Sequence, residues 1–344
     1  MAIIVLIVAM YMIVIPSIDS VTESVGERPT SYTIEELSPL EVLRIRSAKL
    51  AVFAVFAYVG ACVGSFLNVV AASAPLGEPI ALRSSACPKC ETPIRRIDNL
   101  PLVSFIGLRG QCRVCGVSIP IRYFTVELTG LWIFASLFLY ELTTGAANVP
   151  GFRSYSHAGI LWMILYTKWP VIGIYFFHCA LFSCLLTIAL MEQGRLRPPR
   201  WLALALLAVF AILAVVSPSL LTASVVDQLP LRWPAAYPDW VDRALSCGVG
   251  GGIGWAFGYF ARSLRLRQRQ FSTSLPLAFA LVGIALGWQA VLTIAALWWI
   301  ATMLLKQFGG RRGRPTWLTT TTMLFTVAML HHPLWRWLAS LLSL

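Results

Sequence analysis

From Pro276 to Leu305 the chain runs without one charged side chain. A helix crosses a bilayer in about 20 residues, and only helices and closed barrels satisfy their backbone polar groups in lipid. Similar runs recur at Leu50–Pro75, Phe124–Tyr140, Pro170–Met191, Trp201–Val216, Ala244–Phe260 and Trp317–Leu330, with a short amphipathic tail after the last. Gly159–Tyr166 is apolar but too short to count. Only 12% of the residues are charged, against about a quarter in soluble domains. The expected fold class is an all-α integral membrane protein, a bundle of about seven to nine transmembrane helices solvated by the lipid bilayer. Met1–Pro16 reads as a short uncleaved span, and Ser17–Lys49 as a polar loop or amphipathic segment.

The net charge of +12 does not point to nucleic acid, because the basic residues fall between the apolar runs, where the positive-inside rule puts them. The segment from Arg83 to Arg122 and those around Arg195–Arg200, Arg262–Arg269 and Lys306–Arg314 are basic; Thr143–Lys168 and Ser217–Asp242 are not. The alternation puts the basic loops in the cytoplasm. Since both flanks of Pro276–Leu305 are basic, that run must cross twice or form a re-entrant hairpin, with its turn near Gly287 and Trp288. The glycines from Gly248 to Gly258 suit a close helix contact.

One loop carries Cys87-Pro-Lys-Cys90 and Cys112-Arg-Val-Cys115. Two C-x2-C knuckles supply the four thiolates of a closed, structural zinc site, and Gly116 follows the second where the chain must turn tightly. Cys87, Cys90, Cys112 and Cys115 are the expected metal ligands of an inserted cytoplasmic zinc loop, which is too small to fold alone. Cys62, Cys179, Cys184 and Cys247 lie in apolar runs and read as small core residues. His157, His178, His331 and His332 share no ligand spacing; His178, inside a span, reads as hydrogen-bonded between helices. Asn68 needs a buried partner and suits positioning of the loop.

The stretch from Gly64-Ser-Phe-Leu-Asn68 through the cysteine loop to Asp98-Asn99, Pro101, Arg109-Gly110, Arg122-Tyr123 and Glu127 resembles the amino-terminal part of type IV prepilin peptidases. Gly283-Ile-Ala-Leu-Gly-Trp-Gln289 is similar to the turn after that family's second catalytic motif. The resemblance divides the chain at 1–48 (short hydrophobic segment and linker), 49–130 (N-terminal-type region, zinc loop 81–123), 131–335 (membrane-embedded peptidase-like domain) and 336–344 (tail). It implies an aspartic endopeptidase that cleaves the leader of prepilins or pseudopilins and N-methylates the product with S-adenosylmethionine. The setting it implies is the bacterial inner membrane, with pilus or type II secretion machinery as partners.

Two aspartates do that chemistry in the family, one ionised as base and one protonated as acid, their proximity splitting the pKa values. In this chain Glu192 falls where the first is expected, in Met191-Glu-Gln-Gly-Arg-Leu-Arg-Pro-Pro-Arg200. Leu275 falls where the second is expected, and no Asp or Glu follows Asp242. Asp227, Asp239 and Asp242 lie in the loop assigned to the opposite face. Glu192 is the one catalytic candidate, the other reading being a solvated loop carboxylate paired with Arg195 or Arg197. The expectation is weak or absent cleavage. The rival from another class is a non-catalytic scaffold or prepilin-binding component.

Overall fold

The computed structural model describes residues 10, 39–80, 86–87, 89–152, 167–220, 238–263, 274–308 and 319–341. Apart from Met10, the short apolar segment Met1–Pro16 lies outside the described residues, as do Gly159–Tyr166, His157 and Asp227. The chain divides into two units, Met1–Phe56 and Ala57–Leu344, and the second holds every site described below.

Every regular element among the described residues is helical. Helix α1 covers Pro39–Ser73, so the end of the polar segment is already helical, and a turn at Ala74–Leu76 closes on Gly77. The short α2 (Val103–Gly107) lies in the cysteine loop. Helix α3 (Ile121–Leu137) follows Pro120 and widens into a π turn, Phe138–Leu142. Helix α4 (Trp169–Gln193) carries Pro170 in its first turn, where the missing N–H has no intrahelical partner to lose. Helix α5 (Arg200–Val216) starts after Pro199; α6 is Asp239–Ser263 and α7 is Ser274–Phe308. Helix α8 (Thr320–His331) runs through a turn, His332–Leu334, into α9 (Trp335–Ser340).

Four segments are long and apolar enough to cross a membrane: Leu43–Leu76, Ile121–Leu142, Trp169–Gln193 and Ser274–Leu305; α5 is apolar but shorter. The chain is a multi-pass membrane protein. Helix α4 lies at the centre, with Tyr175, Leu181, Phe182, Leu185 and Met191 buried. A helix that is apolar on every face belongs inside a bundle.

Helix α7 is not one straight crossing. Gly287 has φ 83° and ψ 171°, a region essentially reserved for glycine. The rings of Phe279 and Trp298 lie 5.9 Å apart, whereas a continuous helix would separate them by about 28 Å at 1.5 Å per residue. Phe257 of α6 touches both rings, at 4.9 and 6.3 Å. The chain therefore reverses at Gly287, as the basic flanks require.

Against the first arm of this hairpin, α6 packs antiparallel by its glycines. Gly250 faces Gly283, Gly254 faces Phe279 and Gly258 faces Pro276; a Cβ on Gly258 would stand 2.6 Å from the Pro276 Cα. Gly64 of α1 meets α3 in the same way, with a Cβ there 2.7 Å from the Val126 carbonyl oxygen. Lipid supplies no hydrophobic drive between helices, so close backbone approach through small residues holds them together.

Candidate functional site

The two cysteine knuckles have the same backbone. In the first, Cys87 N–H donates to the Thr92 carbonyl (3.1 Å) and Glu91 N–H to the Cys87 carbonyl (2.9 Å). In the second, Cys112 N–H donates to the Val117 carbonyl and Gly116 N–H to the Cys112 carbonyl, both at 2.9 Å. An isolated bridge closes each, Ala86 with Pro93 and Gln111 with Ser118. The residue after each second cysteine is left-handed: Glu91 at φ 55°, Gly116 at φ 67°. Glycine takes that conformation without strain; Glu91 takes it because the knuckle demands it.

These turns bring the four sulfurs of Cys87, Cys90, Cys112 and Cys115 within 4.8 Å of one another, with Cys87 and Cys115 at 3.7 Å. Crowding splits their acidities. The Thr92 hydroxyl, then its backbone N–H, lowers Cys90 to about 6. Backbone N–H groups of Cys115 and Val114 lower Cys112. At Cys115 the Val117 backbone pulls downward, but burial and the neighbouring thiols outweigh it and raise the group to about 11. Four thiolates cannot coexist in this space without a cation, which is the donor set a closed tetrahedral metal site requires.

The loop is fastened to the bundle at named points. Arg113 holds Asp98 through two bonds, 2.8 and 2.6 Å, which also keeps the Asp98 carboxyl below its usual range. Glu127 of α3 accepts from the Leu102 N–H at 2.7 Å, and Leu102 is strained to φ 62°. Arg122 donates to the Leu190 carbonyl at the end of α4 (3.3 Å), and Asn68 reaches the Tyr123 carbonyl at 3.5 Å. The cysteine loop and Glu192 thus sit at the same end of the bundle.

Glu192 is not a solvated loop residue. It is 3% exposed, and its oxygens are taken by α8 rather than by Arg195 or Arg197. Thr320 donates its hydroxyl to Oε1 (2.6 Å) and Thr321 its backbone N–H to Oε2 (2.9 Å). Thr319, the N-cap, accepts from Thr322 N–H at 3.2 Å, and Gln193 donates to the Thr322 hydroxyl at 3.1 Å. The carboxylate completes the cap of α8 and opposes the positive end of its dipole. Among the described residues Glu192 belongs to no group of three or more His, Cys, Asp or Glu ligand atoms.

A second cluster was not legible in the sequence. Glu141, at the end of the π turn, meets His178 of α4 and His332 beyond α8, and all three are buried. Their separations follow no ligand spacing, so only the fold brings them together. His178 does hydrogen-bond between helices, as expected, but to a carboxylate. His331 pairs with the Thr293 hydroxyl instead, at 2.8 Å.

The chain is an all-helical membrane protein among the described residues, with a four-thiol centre on a loop at one bundle end. Residues 58–140 match the family described as the Bacterial Peptidase A24 N-terminal domain. The chain is 51% identical over 96 residues to a prepilin leader peptidase/N-methyltransferase of Myxococcus xanthus, covering 26% of this chain and 29% of the relative. For the Neisseria gonorrhoeae protein of that name the identity is 36% over 116 residues, 27% and 39% of the two chains. An Escherichia coli type 4 prepilin-like proteins leader peptide-processing enzyme is 40% identical over 87 residues, 20% and 32% of the two chains. No solved structure matches. Residues 58–140 are therefore similar to the amino-terminal domain of the bacterial prepilin peptidases. The chain spans 29% to 39% of the length of these relatives.

Proposed function

We propose that this protein handles type IV prepilins or pseudopilins in a bacterial inner membrane and cleaves their leaders weakly or not at all. Its loop holds a structural zinc ion on Cys87, Cys90, Cys112 and Cys115, and its basic loops face the cytoplasm. The remaining spans bring the bundle to about seven to nine crossings, with the α7 hairpin counted as two or as re-entrant. N-methylation is carried over from the names of the relatives; S-adenosylmethionine as its methyl donor, and association with pilus or type II secretion machinery, are what the family resemblance implies.

The observation that carries the reading is the engagement of Glu192. Aspartic cleavage needs a base and an acid around one water, and losing one proton-transfer partner costs about 100- to 10,000-fold. Here the one candidate acid is buried in a helix cap, and the chain has no carboxylate after Asp242 to serve as the other. The same observation favours the non-catalytic form of the proposal, a scaffold or prepilin-binding component. The test is reconstitution in detergent with a pseudopilin carrying a basic leader. Retention of the uncleaved pseudopilin on immobilised protein, without a mass shift, is the expected result. Efficient processing that disappears in Glu192→Gln overturns it.

A further inference from the structure

A cluster of buried polar side chains toward the other end of α4 carries its own chemistry. Glu192 and His178 stand about 21 Å apart along α4 at 1.5 Å per residue, so the Glu141 cluster lies far from the cysteine-loop end. His178 Nδ1 and His332 Nε2 both meet Glu141 Oε1, at 2.5 and 2.7 Å. The three side chains are at most 1% exposed.

Hydrogen bonding alone leaves this cluster poorly satisfied. Glu141 Oε2, His178 Nε2 and His332 Nδ1 are buried without a partner among the described residues. With both rings neutral, the Glu141 carboxylate is a fully buried charge with no cation beside it among the described residues, and burial of an unpaired ion is expensive. Aromatic rings wall the two imidazoles. Trp335 stacks on His332 with centroids 5.6 Å apart and meets His178 at 5.8 Å, while Phe182 covers His332 at 5.3 Å.

We propose that Glu141, His178 and His332 form a binding site for a divalent transition-metal ion of the zinc type. Two imidazoles and one carboxylate are the donor set such ions take when a coordination position stays open. The three ligand atoms already lie within 4.8 Å of one another. Ligand bonds of about 2.0–2.2 Å place tetrahedral donors about 3.3 Å apart, so the two carboxylate–imidazole pairs must open by about 0.6–0.8 Å. Each imidazole frees its ligating nitrogen by moving its proton to the far nitrogen. Glu141 rides on a π turn, a geometry often found at functional sites, and both of its oxygens become available to the ion. A cleft of about 510 Å³ is lined by Tyr140, Asn148, Pro333, Arg336 and Trp337, residues adjacent in sequence to Glu141 and His332 among them. Asn148 donates to the His332 carbonyl at 3.3 Å and keeps its own Oδ1 buried and unpartnered beside the site.

The experiment is metal analysis of the full chain in detergent, by emission spectrometry after dialysis against zinc. Wild type should hold two zinc ions per chain, and Cys112→Ser/Cys115→Ser should keep one. Adding Glu141→Gln, or His332→Gln in its place, should remove that one while elution stays monodisperse. Cobalt loaded into the cysteine variant should give ligand-field bands without thiolate charge transfer. A wild-type protein with one zinc, whose cobalt form shows thiolate-bound metal alone, overturns the proposal whether or not the variants fold. So does undiminished metal in the Glu141→Gln background.

Discussion

Replacing Glu192 separates a capping carboxylate from a catalytic one, because the two roles predict different orders of damage. In Glu192→Gln the amide oxygen still accepts from Thr321 N–H, and the amide N–H donates to the Thr320 hydroxyl, which rotates to accept. What disappears is the charge. A carboxylate at a helix N-terminus is worth about 0.3–1 kcal/mol exposed and up to about 2 partly buried, so Gln should cost about 1–2 kcal/mol. In Glu192→Ala both donors lose their acceptor in a site 3% exposed. Each buried donor left bare costs about 1–3 kcal/mol, and with the cavity the sum is about 3–5 kcal/mol. At about 2 °C per kcal/mol for a chain of this size, Ala should lower the unfolding midpoint by roughly 5–10 °C and Gln by less than half of that. Heating in detergent, followed by loss of the monodisperse peak, reads the order wild type, Gln, Ala. A catalytic carboxylate gives another pattern: both variants lose cleavage equally while Gln melts like wild type. An Ala variant that melts with wild type refutes the capping argument outright.

Cys112→Ser should lose zinc from the loop and release it to protease at Arg95–Arg96, as seen by emission spectrometry and limited digestion; unchanged zinc in the loop counts against the tetrathiolate site. Gly254→Val places a side chain onto the Phe279 carbonyl and should part α6 from α7, lowering the melting midpoint by the equivalent of about 3 kcal/mol or more; Gly252→Val, with nothing within 4 Å of its Cβ, should be nearly silent. Single cysteines at Arg195 and Arg262 should resist an impermeant reagent in intact cells, and one at Asp239 should react; the reverse pattern inverts the topology.

Much of this was legible because it is local. Uncharged runs, prolines at helix starts and C-x2-C spacing act over a few residues, and the spans from Phe124 onward became helices within about five residues of their expected limits, whereas the helix expected from Leu50 already starts at Pro39. Even the reversal at Gly287 followed from charge, since two basic flanks on one side leave a run no other course. The role of Glu192 was hidden because its partners, Thr320 and Thr321, lie more than 120 residues away and carry no motif. The Glu141 cluster was hidden for the same reason, more strongly: His332 reaches Glu141 across 191 residues. Membrane helices pack by whichever small or polar residues come face to face, and no periodicity within one helix names its neighbour. The sequence by itself determined the helices, their polarity and the cysteine loop. Which buried carboxylate caps a helix, and which meets two imidazoles, was decided only when α3, α4 and α8 closed on one another and left those side chains no water to turn to.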